Sequence, residues 1–139
     1  MSPIPWKSGA RLVAAGVLGY ALIVALTTAG FNGWLEGADL YRGGPALQAR
    51  GMLVALVAGL AGGALAAVIG RRRPLLHALA VLPLLIADTI YVLFFFAGPA
   101  PWWFDLAGSL VLIASTVAGG VVLRALGPGL EGRAAATGR

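Results

Sequence analysis

Cysteine is absent from this chain, histidine occurs once, and only five of its 139 residues are acidic. The first absence excludes disulfides, thiolate catalysis and sulfur-ligated metals. The second excludes a bis-histidine haem within one chain. Charge of either sign is scarce: Asp, Glu, Lys and Arg make up 11% of the residues, against about 25% in soluble domains. With 60% hydrophobic residues and a mean hydropathy of +0.92, the chain lacks the polar surface a water-soluble domain of this length needs.

What the sequence has instead is long apolar runs. Four segments, at roughly 8–30, 47–70, 74–97 and 102–127, are each long enough to cross a bilayer at about 1.5 Å of rise per residue. The expected fold is all-α, a single four-helix transmembrane domain over 1–127, followed by a short disordered cytoplasmic tail at 128–139. The first segment is too long for a cleaved signal and no A-x-A site closes it, so it reads as a retained helix. Placing the 71–73 turn inside puts both termini inside. Eight of the ten basic residues then face the cytoplasm (Lys7, Arg11, Arg71, Arg72, Arg73, Arg124, Arg133 and Arg139), leaving Arg42 and Arg50 outside. That bias sets the orientation and points to a multi-pass protein of the bacterial inner membrane. It also accounts for the net charge of +5 without a nucleic-acid partner.

The second segment sorts its residues by size. At about 100° per residue, Gly51, Ala55, Gly59, Gly62, Ala66 and Gly70 share one sector, a helix-packing face for close backbone approach. In the first segment Gly9, Gly16, Tyr20 and Thr27 share a face; in the fourth, Asp105, Ser109, Thr116, Gly120 and Gly127 do. Pro74 opens the third segment at a position that suits proline, and Pro83 in its interior is expected to bend it. Pro128 is expected to end the fourth. The stretch 31–46 is an outer loop whose Phe31, Trp34 and Tyr41 rings suit headgroup depth.

Asp88 is the sharpest candidate for chemistry. It lies about 20 Å along the third helix from the arginine turn, inside the hydrocarbon region. An ionisable group there is costly, which makes Asp88 a candidate proton or coupling site. The competing reading is an interhelical hydrogen bond to Tyr20, Ser115 or Thr116. His77 sits eleven residues away, about 16 Å along the axis, and cannot touch it. It reads as an interfacial histidine bonded to water or headgroups. Ser109 and His77 lie near opposite surfaces, so they make no nucleophile–base pair. Arg71, Arg72 and Arg73 are candidate contacts for anionic lipid headgroups, at about 1 kcal/mol per basic residue. No metal or cofactor is expected.

The run GLAGGALAAVIGRRRPLLHALAV (59–81), with PAPWWFDLAGSLVLI (99–113) and VAGGVVLRALG (117–127), resembles small bacterial four-helix membrane proteins. Their pattern is a Gly/Ala-rich helix, a basic turn with PLLHAL, and a Pro/Trp outer turn. The resemblance covers about three helices and implies no activity, cofactor or partner; Asp88 is not part of it. Two functions are expected from the sequence. The first is a non-enzymatic accessory or interaction subunit that works through helix packing with lipid, a membrane-protein partner or further copies of itself. The second is a small oligomeric proton-coupled transporter or channel that uses Asp88.

Overall fold

The computed structural model describes residues 6–70, 73–95 and 102–137, and side chains within 9–70, 73–95 and 102–126. The described residues form α1 (Trp6–Ala29), a π turn (Gly30–Trp34), α2 (Pro45–Ile69), α3 (Pro74–Leu79), α4 (Leu82–Phe95) and α5 (Trp102–Thr137). Four stretches are long and apolar enough to cross a membrane: Gly9–Trp34, Pro45–Ile69, Pro74–Phe95 and Trp102–Leu126. The fold is all-α, with four such helices in the order the hydropathy predicts. The helical backbone of α5 continues past Pro128 to Thr137, where an end was expected. A proline removes one donor and crowds the carbonyl four residues back, which can bend a helix without ending it.

The helix α2 is the centre, with α1 on one flank and α5 on the other. Its glycines explain why. A Cβ on Gly62 would lie 2.7 Å from the carbonyl oxygen of Gly19 in α1, and a Cβ on Gly19 would lie 2.9 Å from that of Gly62. The two backbones therefore touch where neither has a side chain. Toward α5, a Cβ on Gly59 would lie 2.8 Å from the Leu112 carbonyl oxygen, and one on Gly63 would lie 2.7 Å from the carbonyl carbon of Thr116. In lipid no hydrophobic effect favours helix on helix over helix on lipid, so contact of this closeness is what holds the bundle. Ser115 and Thr116 are buried here, yet satisfied: their hydroxyls donate to the Leu112 carbonyl at 3.1 and 2.7 Å.

Pro83 does more than bend its segment. It has no N–H for the Leu79 carbonyl, and the helix breaks ahead of it. The Ala80 N–H bonds the Leu76 and His77 carbonyls, Val81 N–H reaches Ala78 at 3.2 Å, and the ladder restarts with Leu84 N–H on Val81 at 3.1 Å. The broken turn is wedged against α1: a Cβ on Gly16 would meet the Ala80 carbonyl oxygen at 2.6 Å, and one on Gly19 would meet Val81 Cγ2 at 2.8 Å. Val81 is fully buried and joins Ala15, Ile23, Ala58, Ala66 and Leu85 in the core.

The break has an architectural result. Between Arg73 and the break, α3 packs on α2, α5 and α1; beyond it, α4 packs on α5 and α1 but not appreciably on α2. The bundle is therefore closed at its Arg73 end and parted between α2 and α4 at the end that carries the 35–44 loop.

Candidate functional site

The parting leaves a cleft of about 510 Å³. Thr27 and Phe31 line it from α1 and the π turn, Met52 and Ala55 from α2, Asp88 and Val92 from α4, and Asp105, Ser109 and Leu112 from α5. Residues 37–41 form its roof.

The roof is built from local backbone chemistry. The π turn closes with Leu35 N–H on the Gly30 carbonyl at 3.1 Å, and Glu36 and Gly37 then take left-handed φ values of 53° and 67°. The reversal drives Leu35, only 4% exposed, into the bundle as a peg. The carboxylate of Asp39 accepts the N–H groups of Tyr41 and Arg42 at 3.0 and 3.3 Å. Its contact with the Arg42 guanidinium, at 3.6 Å and well exposed, adds little. Gly51 lets the roof sit low, since a Cβ there would meet Leu40 at 3.1 Å.

Tyr41 fastens the roof to α5. Its ring meets Phe104 edge-on with centroids 5.9 Å apart, and its hydroxyl donates to Asp105 Oδ1 at 2.9 Å. Burial, the hydrogen bond to Asp105 and the charges of Asp105 and Asp39 push the Tyr41 phenol up to about 12. Composition alone gives Tyr41 an interfacial role; its pairing with Asp105, 64 residues away, left no local signal in the sequence.

Asp88 opens on the cleft about 10 Å along α4 from the end at Phe95. Of its three candidate partners, Tyr20 is the one that meets it: the hydroxyl on α1 interacts electrostatically with the carboxylate on α4. Ser115 and Thr116 are turned to their own helix instead. Among the described residues no basic side chain lines the cleft, and neither Asp88 nor Asp105 has an ion-pair partner. No group of three His, Asp or Glu side chains is placed to hold a metal ion among the described residues.

The remaining candidates lie elsewhere. Gly51, Ala55, Gly59, Gly62, Ala66 and Gly70 are all buried within the chain, shared between α1, α5, the roof and the 70–77 turn. Gly63, outside the expected sector, is equally buried and meets the Thr116 backbone; its size was the available signal. His77 packs across Gly70 and its Nδ1 bonds the Arg73 carbonyl at 2.9 Å. It thus ties the turn to α3 through one ring nitrogen. Arg73 is exposed; Arg71 and Arg72 lie outside the described residues. On α1, Gly16, Tyr20 and Thr27 meet neighbours or the cleft, while Gly9 has none within 4 Å. Asp105 and Ser109 line the cleft, whereas Thr116 and Gly120 face α2 and Ala78.

No protein-family model, no curated protein and no solved structure matches the chain.

Proposed function

We propose that this multi-pass membrane protein is a small, non-enzymatic transporter that couples movement of a solute to proton exchange at Asp88. The observation that carries this reading is an intramembrane carboxylate with no basic partner, opening on a roofed cleft at one end of the bundle. A charge at that depth is costly, and the residues that carry one face cavities and mark ion or substrate pathways. Closure at the Arg73 end and parting at the loop end is the form of one half of an alternating cycle, and the broken turn at Ala80–Val81 supplies a hinge for α4. The positive-inside bias supports the loop end as the outer side of a bacterial inner membrane, with both termini inside. The accessory-subunit reading drew on a small-residue face free for a partner; that face is filled by the chain's own helices.

The test is proton flux into proteoliposomes loaded with a pH-sensitive dye, under an imposed potential. Wild-type protein is expected to conduct or exchange protons, and Asp88→Asn, which keeps shape and removes charge, is expected to abolish the flux. Full flux in Asp88→Asn overturns the reading.

A further inference from the structure

Resting on that reading, we infer that the solute is an organic monocation with an apolar body, of the size of a quaternary ammonium carrying one aromatic ring. Three features of the cleft select this class. Its ionisable lining is of one sign: Asp39, Asp88 and Asp105 with no Lys, Arg or His. Asp39 is taken up by the roof's own N–H groups and by Arg42, whereas Asp88 and Asp105 meet only phenol hydroxyls and have no cationic partner among the described residues. The walls between them are apolar and aromatic, with Phe31, Met52, Val92, Phe104 and Leu112.

The described residues offer no group of three or more carboxylate or imidazole side chains to cage a hard metal ion. An anion would face two uncompensated carboxylates. A weakly hydrated organic cation suits both kinds of surface, because aromatic faces attract it and a carboxylate neutralises it without a rigid coordination shell. The cleft's 510 Å³ falls within the range of pockets that enclose small organic ligands, about 300–1,000 Å³.

The experiment uses the full chain in lipid nanodiscs and two probes of one shape: benzyltrimethylammonium, and neopentylbenzene as its uncharged carbon counterpart. Saturable binding of the cation alone is expected, weakened at least tenfold by Asp88→Asn and left in place by Glu36→Gln, a change at an exposed acid outside the cleft lining. Gly108→Leu, whose side chain grows into the open cleft, should also abolish binding without a change of charge; this variant answers the question if Asp88→Asn does not fold. Equal uptake of both probes, no saturable binding to wild type, or full affinity in both Asp88→Asn and Gly108→Leu overturns the inference. Asp88-dependent proton flux without cation binding removes the solute class and keeps the transporter reading. Asp88-dependent cation binding without any proton flux keeps the site and removes the transporter reading.

Discussion

A single methyl group added to Gly63 tests how the bundle holds together. Its Cβ would lie 2.7 Å from the carbonyl carbon and 2.9 Å from the Cα of Thr116. The obstacle is backbone, so no rotamer change relieves it. The Thr116 carbonyl oxygen lies closer still, so restoring ordinary contact at 3.4 Å requires α5 to retreat by more than the 0.7 Å (3.4 less 2.7) that the carbonyl carbon alone would need. That retreat also loosens Gly59 and Gly119, which meet the facing helix along the same seam. Overpacking of this kind costs about 3 kcal/mol at the upper end of its usual range. Alanine's better helix propensity returns about 1 kcal/mol. The net expectation for Gly63→Ala is a loss of about 2 kcal/mol. The same change at Gly108 has the opposite sign: nothing lies within 4 Å of its Cβ, so only the propensity gain of about 1 kcal/mol remains. Equilibrium unfolding in mixed micelles, followed by far-ultraviolet circular dichroism, measures both. A Gly63→Ala protein as stable as wild type would refute the claim that backbone contact between α2 and α5 holds the fold.

At the turn, Gly70→Ala should destabilise because its Cβ runs into the His77 ring, and His77→Ala should relieve much of that loss in the double variant; simple additivity in the unfolding experiment argues against the contact. The roof should depend on Tyr41. The phenol is raised from 10.0 to about 12, so the folded state favours the neutral form. The roof contact is then fully present below pH 10 and is lost as pH rises through about 12. A tyrosinate absorbance titration should show a component near pH 12 that is missing in Tyr41→Phe. Leu35→Ala, which removes the buried peg, should cost about 2–5 kcal/mol by the same unfolding assay.

The sequence discloses the parts of this structure that depend on local chemistry. Hydropathy and length define the four helices, because lipid requires each backbone donor to be met within its own segment. Glycine spacing marks α2 as the centre, since small residues are what permit close approach without a hydrophobic drive. Pro83 marks a distortion, although the size of the effect depends on Gly16 and Gly19 lying opposite the freed turn. The cleft is a different matter. It arises because α3 keeps contact with α2 while α4 leaves it, and this divergence of two halves of one segment has no periodic signature. Tyr41 with Asp105, and Tyr20 with Asp88, are likewise pairs across elements, set by packing. Tyr20 could be named as one of three partners for Asp88; choosing among them required knowing that Ser115 and Thr116 face their own carbonyls.

The absence of cysteine makes the central claim, a water-filled cleft reaching toward Asp88 beneath the 37–41 roof, directly measurable by single-cysteine labelling. Ser109→Cys and Met52→Cys place thiols on the cleft wall; Thr116→Cys lies in the fully buried α2–α5 seam, and Leu110→Cys on the exposed apolar face of α5. A charged, membrane-impermeant thiosulfonate added from the loop side needs water and a path to react. The cleft predicts rapid modification at Ser109→Cys and Met52→Cys and none at Thr116→Cys or Leu110→Cys. Ser109→Cys and Met52→Cys as unreactive as Leu110→Cys would contradict it.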